Sequence, residues 1–463
     1  MFDIDFSKHG DNVCLISDNR EIKYNQIDKL CSTISNVLPN TKQLVLVKAQ
    51  TNIETIIGYL TFLRAEQAFI MLDASVDNEF IDNIIKTYNP NFIWEEKIVD
   101  TDYLVEYETY GLKIHNKAQI LLNDKLSLML STSGTTGSPK MVKLTKENLY
   151  SNCDSIVDYL NIESTHRVIT NLPLYYSYGI SILNTHLERG ASLVVTKESI
   201  MSKDFWETFK KHKVTTLNGV PYNYEIFRRI GIMKMELPSL KYMTQAGGKL
   251  NHKLVKEYAL WAKSKQIDFF VMYGQTEATA RISYMPSDKI LEKESSIGIS
   301  IPNGKLLIKN LNNDELIDES FVDGELIYQG PNVMMGYATK LEDLNASNEL
   351  KSILHTGDIA QKDDEGFYYI TGRLKRFIKI HGNRVGLDEI EHYLKSKDYD
   401  VLCTGIDNKL MIVTRNSEIL NDIKSDIIAK YAFHHSVVKI KCIEEFPVTS
   451  AGKIKYQDII KDF

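Results

Sequence analysis

Ser131-Thr132-Ser133-Gly134-Thr135-Thr136-Gly137-Ser138-Pro139-Lys140 follows the apolar run Leu128-Met129-Leu130. Glycines let backbone N–H groups approach phosphate oxygens, the hydroxyls add donors, and the closing lysine adds charge. The stretch therefore reads as a phosphate-binding loop entered from a buried strand. A Walker A loop is the sharper rival, but it needs Gly-Lys adjacent and then Ser or Thr. Here Ser138-Pro139 separates Gly137 from Lys140, and proline has no N–H to offer. Downstream, Thr145 is placed to cap a helix whose one face carries Leu149, Cys153, Ile156 and Leu160. That spacing makes Cys153 a core residue rather than a nucleophile.

Working outward, short β-rich apolar runs at residues 44–47, 68–72 and 92–94 alternate with a helical pattern at 53–63, which suggests βαβ units and a parallel sheet. Residues 192–196 and 269–272 are further buried-strand candidates, the second running into Tyr273-Gly274-Gln275. Loops at strand ends are where α/β sheets hold ligands. Residues 324–337 and 366–380 change to shorter strands punctuated by glycine, a β-rich subdomain. Beyond Arg373 a helix near 387–394 and strands near 409–414 and 437–443 suit a small separate α+β unit. No internal repeat or low-complexity segment interrupts this order. The expected fold class is α/β, with a large N-terminal domain at residues 1–374 and a small α+β C-terminal domain at 375–463.

At 463 residues with 43% hydrophobic content, the chain can bury a large core, and about 150 residues per domain allows two or three units. Net charge is -6, from 55 basic against 61 acidic residues, which leaves no basic footprint for nucleic acid or a membrane surface. Five dispersed cysteines without a C-x-x-C pair argue against a disulfide framework or structural zinc and fit a reducing cytosol. The acidic N-terminus shows no secretory signal. Residues 56–63, interrupted by Gly58 and Thr61 and ended by Arg64, fall far short of the roughly 20 apolar residues a span needs and read as a core helix.

The loop at residues 131–140 resembles the phosphate loop of the AMP-forming adenylating superfamily, which holds acyl- and aryl-CoA synthetases, peptide-synthetase adenylation domains and luciferases. Other segments agree in order. Asn171-Leu172-Pro173-Leu174 with Tyr178-Gly179 resembles the start of the acyl-pocket helix. Gln245-Ala246-Gly247-Gly248-Lys249-Leu250 resembles the adenine-facing turn, and Tyr273-Gly274-Gln275-Thr276-Glu277 the motif that meets phosphate and magnesium. Gly324-Glu325-Leu326, Gly336-Tyr337, Thr356-Gly357-Asp358, Thr371-Gly372-Arg373 and the segment from Pro447 to Lys453 complete the series.

The resemblance implies ATP-dependent activation of a carboxylic acid to an acyl-adenylate with Mg2+, and then transfer to a thiol. Activation joins two anions, so cations must converge where charge builds on the α-phosphate. Lys453 matches the lysine that bridges acid and α-phosphate. Glu277, with Thr136, would hold Mg2+, and Thr276 would hydrogen-bond phosphate. ATP would contact Thr132, Ser133, Gly134, Thr135, Thr136, Gly137, Lys140, Gly247, Gly248, Lys249, Tyr273, Gly274, Gln275, Asp358, Ile370 and Arg373. Among these, Tyr273 resembles the aromatic stacked on adenine, while Asp358 and Arg373 resemble the ribose-reading pair. Lys375 falls at the family's hinge between the large domain and a mobile lid. Rotation there would exchange Lys453 for the thiol-transfer region at Lys379, His381 and Gly382. Tyr176, Tyr178, Tyr222 and Gln245 are acid-pocket candidates.

The chain departs from the family pattern in three places. Tyr176 stands where aryl- and acyl-CoA ligases often carry His and amino-acid activators carry Asp. An ammonium buried there would lack its carboxylate, which disfavours an α-amino acid. Arg376 replaces a frequent acid beside the hinge. About 60 residues separate Glu391 from Lys453, a short small domain. CoA is the expected acceptor, and the phosphopantetheine of an acyl carrier protein is the alternative. A non-catalytic nucleotide-binding homologue would not require Lys453, Glu277, Asp358 and Arg373 together. A luciferase-like oxygenase would share the adenylation step.

Overall fold

The computed structural model describes residues 6–17, 20–131, 140–374, 376–380, 383–431, 433–449, 452–461 and 463. Contacts group them into two compact units, residues 1–305 with 328–354, and residues 306–327 with 355–463. The grouping attaches the β-rich segment to the C-terminal part by compactness. The expected 374/375 boundary is one of motion, between a large domain and a mobile lid.

The first unit holds two large sheets. In the eight-stranded sheet, Leu44–Ala49 lies parallel to Ala68–Asp73 and Phe92–Glu96, and Ala68–Asp73 lies parallel to Leu126–Ser131. The nine-stranded sheet places Arg167–Ile169, Thr216–Gly219, Tyr242–Gln245 and Asp268–Tyr273 side by side and parallel, with Ser283–Tyr284 antiparallel beyond them. The expected strand–helix alternation is present throughout. Strands buried on both faces read as continuous apolar runs, which is why Leu44–Ala49 and Ala68–Asp73 were legible.

Helix Ile53–Arg64 buries ten of its twelve residues, because residues of both sheets close around it in one core. It is the expected core helix, and among the described residues no helix is long and apolar enough to cross a membrane. Helix Lys146–Leu160 starts at Thr145, whose side chain accepts from the Asn148 N–H at 3.0 Å while Asn148 Oδ1 accepts from the Thr145 N–H at 2.9 Å. Cys153 lies on its buried face, 2% exposed, and burial pushes its thiol pKa up, so it is inert.

The segment at 324–337 does not stay together. Gly324–Gln329 enters a five-stranded sheet, whereas Gly336–Ala338 pairs antiparallel with Met141–Thr145 at the edge of the eight-stranded sheet. Periodicity cannot show that switch, because both pieces have the same strand character.

In the second unit, the predicted helix is Leu387–Ser396 and the predicted strands are Lys409–Thr414 and Val438–Cys442, joined by Val401–Ile406, which the sequence reading did not single out. Arg376 is anchored inside this unit. It pairs with Asp388 and with Glu391 at 2.7 Å, donates to the Cys403 carbonyl at 2.6 Å, and lies 3.9 Å from the centre of the Tyr456 ring. Burial would raise the Glu391 carboxyl, but Lys395, Arg376 and the Cys403 N–H outweigh it and hold the pKa below its ordinary value. Glu391→Gln should therefore destabilise this unit by on the order of 3 kcal/mol at neutral pH. A depressed folded pKa gives stability that is complete above the unfolded value near 4.5 and lost as pH falls through the folded one. Melting curves of wild type and variant should accordingly converge in acid, and a gap that persists at low pH would contradict the assignment.

Candidate active site

Ser131 and Met141 pair across the antiparallel strands Leu126–Ser131 and Met141–Thr145, so these strands carry the two roots of the glycine loop. Thr132, Ser133, Gly134, Thr135, Thr136 and Gly137, expected to cradle phosphate, lie outside the described residues. Lys140 is described. Its ammonium lies 3.4 Å from the centre of the Tyr337 ring, a cation–π contact. Tyr337 reaches this place because Gly336–Ala338 pairs with Met141–Thr145 and sets Tyr337 opposite Val142. The Tyr337 hydroxyl donates to Glu277 Oε1 at 2.8 Å, and burial followed by the Glu277 charge pushes its pKa up, so it stays protonated and donating. One tyrosine thus joins the loop's lysine to the predicted metal carboxylate, which lies 137 positions away.

The turn that carries Glu277 is fixed by backbone contacts. Met334 N–H donates to the Glu277 carbonyl at 2.9 Å. Asn332 Nδ2 donates to the carbonyls of Ala278 and Arg281 at 2.8 and 2.9 Å, and Thr279 Oγ1 donates to the Asn332 carbonyl at 2.6 Å. Gly274 is required by close approach, since a Cβ there would lie 1.7 Å from the Ala280 carbonyl oxygen. Thr276 is buried, with its hydroxyl 3.3 Å from that of Ser177, the first residue of helix Ser177–Glu188. Upstream, Tyr273 and Gln275 are half-buried, and Gln275 Nε2 donates to the Tyr273 hydroxyl at 3.2 Å.

Next along the sheet, Gln245 ends its strand and folds its amide onto the following turn, donating to the Ala246 and Gly248 carbonyls at 3.2 and 2.9 Å. Gly247 adopts φ +83°, open to glycine at low cost, and a Cβ there would lie 2.5 Å from the Tyr176 hydroxyl. Gly248 and Lys249 are exposed, and Tyr222 is half-buried against the core. Tyr178 is 2% exposed and its hydroxyl is engaged by the carbonyl and side chain of Thr244, so it backs Tyr176 from within the core. Three buried polar atoms lack a protein partner here: Asn171 Oδ1, Asn218 Nδ2 and Gln245 Oε1. All three stand in, or within two residues of, the carboxyl ends of three neighbouring parallel strands, the edge at which α/β sheets receive ligands.

In the second unit, Asp358 and Arg373 are opposite each other on paired strands, with Nε to Oδ1 2.9 Å; the carboxylate is buried and the guanidinium is exposed. Ile370 shares the strand Tyr368–Arg373 and pairs with Ala360. Lys453 lies in a tight loop, where its N–H donates to Thr449 Oγ1 at 3.1 Å and its carbonyl accepts from the Thr449 N–H at 2.7 Å. Lys379 is exposed on strand Phe377–Ile380, and Lys375, His381 and Gly382 lie outside the described residues.

The model of the family described as "AMP-binding enzyme" matches residues 2–338. The chain belongs to the AMP-binding enzyme family. As an AMP-forming adenylating enzyme and ligase, it is 22% identical to the D-alanine--D-alanyl carrier protein ligase of Bacillus cytotoxicus over 475 residues, covering 98% of this chain and 91% of the relative. It is 25% identical to 4-coumarate--CoA ligase-like 6 of Arabidopsis thaliana over 403 residues, covering 83% and 68%. Among solved structures, O-succinylbenzoate Coenzyme A synthetase (MenE) from Bacillus subtilis in complex with AMP aligns with a TM-score of 0.77 at 19% identity, covering 98% of this chain and 97% of that one. NpsA of Klebsiella oxytoca aligns at 0.78 and 18%, covering 99% and 98%. These likenesses bear out the α/β adenylating fold.

Two residues escaped the sequence reading: Tyr337, which meets Lys140 and Glu277, and Arg281, whose guanidinium packs on the Tyr178 ring. Tyr337 was noticed only as part of a Gly-Tyr motif, and Arg281 was not singled out. A charge enclosed by Ala280 and Ile282 beside a strand was the available signal for Arg281.

Proposed function

We infer that the enzyme joins a carboxylic acid without an α-ammonium group to AMP and then passes the acyl group to the thiol of CoA. An acid oxygen bonds the α-phosphorus as the bond to the β-phosphate bridge breaks and pyrophosphate leaves. A thiol sulfur then bonds the acyl carbon, AMP leaves and the thiol proton is released. The observation that carries this reading is the Lys140–Tyr337–Glu277 chain, which brings a cation and a carboxylate to the root of a phosphate-type loop.

ATP as substrate and Mg2+ fit the residues. The unsatisfied amide atoms of Asn171, Asn218 and Gln245 can meet polar groups of a ligand, and Gly247 lets the turn close on the Tyr176 hydroxyl, from which a Cβ would lie 2.5 Å. Among the described residues no three His, Cys, Asp or Glu side chains converge as a metal cage. An ion at Glu277 would complete its shell from phosphate and water, the habit of Mg2+, and would neutralise phosphate charge. The related MenE of Bacillus subtilis has been solved in complex with ATP and a magnesium ion. Asp358 and Arg373 are assigned to the ribose, Tyr273 to the adenine, and Lys453 to the charge on the α-phosphate. The lid is assigned to residues 375–463 with its hinge at Lys375 and Lys379, His381 and Gly382 at the thiol step. Tyr176 and Tyr222 are assigned to the acid pocket, with Tyr178 as their support.

A carrier-protein phosphopantetheine is the second reading for the acceptor. It is favoured by the short stretch from Glu391 to Lys453 and by alignment over 98% of the chain to proteins named carrier protein ligases. Acid-dependent pyrophosphate exchange over fatty, aromatic, hydroxy and amino acids should respond to at least one acid lacking an α-amino group. Silence across the panel would reject the reading, and loading onto free CoA against holo carrier protein decides the acceptor.

A further inference from the structure

Arg281 is a buried cation, 3% exposed, that forms no ion pair among the described residues. Its Nε donates to the Met272 sulfur at 3.3 Å, a thioether that also accepts from the Tyr159 hydroxyl at 3.1 Å, and its guanidinium lies 4.0 Å from the centre of the Tyr178 ring. A guanidinium carries five N–H donors, and the partners it meets here, a thioether, a ring face and the Tyr159 hydroxyl, carry no negative charge. Among the described residues no carboxylate forms an ion pair with it. Its backbone is held firmly, the carbonyl accepting from Asn152 Nδ2 at 3.1 Å and from Asn332 Nδ2 at 2.9 Å. Burying an isolated charge is unfavourable unless a ligand completes the pair.

The location ties this cation to the acid. Arg281 follows Glu277 by four residues, just beyond the turn that carries it, and the Tyr178 ring it covers packs edge-on against Tyr176, with centroids 6.3 Å apart. Tyr176 in turn borders Gly247. Burial pushes the Tyr176 hydroxyl pKa up, and the Arg281 charge opposes it. The tyrosines assigned to the acid pocket therefore have a positive charge packed against them, and among the described residues no acidic side chain forms an ion pair with it.

We propose that Arg281 reads a second anionic group on the acid, so that the substrate class is small dicarboxylic acids of which one carboxylate is activated. This rests on the acid-activation reading. A site built to pair with a polar group rejects analogues that lack it strongly, because its own buried group is then left unpaired.

The test is pyrophosphate exchange with succinate, glutarate and phthalate, each against its monoamide, and with benzoate as a plain mono-acid. Wild type should favour a diacid over its monoamide by at least about 100-fold in kcat/KM. Arg281→Gln should shrink that ratio below about 10, and Arg281→Lys should retain part of it. The same diacid, without ATP, should raise the melting temperature of wild type and not of Arg281→Gln. Equal kcat/KM for diacid and monoamide in wild type, or a ratio unchanged in both variants, overturns the assignment. Should Arg281→Gln not fold, the wild-type ratio and Arg281→Lys decide alone. Exchange with benzoate at the diacid rate rejects Arg281 while leaving acid activation intact, whereas no exchange with any acid rejects both.

Discussion

Replacing Lys453 by alanine should slow acyl-adenylate formation by about 100- to 1000-fold, the loss typical when one charge-stabilising donor is removed from a reacting centre. The α-phosphate gains negative charge as the acid oxygen approaches it, and two anions must be held together while it does so. An ammonium present only for that step stabilises the transition state rather than bound substrate, so the loss falls on the rate and little of it on KM. The fold should be unaffected. The Lys453 loop is held by main-chain atoms and Thr449, with the Gly452 N–H donating to the Thr449 carbonyl at 2.8 Å and Gly452 at φ +73°. Two measurements separate the steps. Pyrophosphate exchange should collapse, while transfer from a synthetic acyl-adenylate to thiol should continue near the wild-type rate, since that half-reaction no longer builds charge on an ATP phosphate. Full-speed exchange by the alanine variant would sink the role proposed for this side chain.

Gly274→Ala should destabilise the first unit by about 4 kcal/mol or more, a size reserved for a few mechanisms of which steric conflict with fixed backbone is one. The added Cβ would stand 1.7 Å from the Ala280 carbonyl oxygen, 2.7 Å from its carbon and 2.9 Å from the Arg281 Cα. None of these is the end of a side chain that can swing away, and the Asn332 and Thr279 hydrogen bonds hold the opposing segment in place. Gly357→Ala is the control. It has φ +72° and nothing within 4 Å of its added Cβ, so it pays only the left-handed backbone strain, about 1 kcal/mol. Thermal melting should show a large drop for the first variant and a small one for the second, and exchange activity should follow stability only in the first. A Gly274→Ala protein that melts with wild type would show that this turn is not tightly closed.

Much of the fold was legible because burial leaves a periodic trace. Helix Ile53–Arg64 is apolar on nearly every face because it lies within one core shared by two sheets, and Thr145 announced its helix because a hydroxyl before an apolar face meets an orphan N–H. The split between Gly324–Gln329 and Gly336–Ala338 left no such trace, since a strand's own sequence does not name its neighbour.

The motifs from Ser131 to Lys140 and from Tyr273 to Glu277, in their order along the chain, were enough to place it in its family. Only the folded chain put Lys140 and Glu277 on the same tyrosine, left Asn171, Asn218 and Gln245 with unanswered amide atoms at adjoining strand ends, and closed the core over Arg281. Spacing along a strand or helix reports which face is covered. It carries no record of which distant residue does the covering, and the charge and hydrogen-bond balance of a site depends on that second fact.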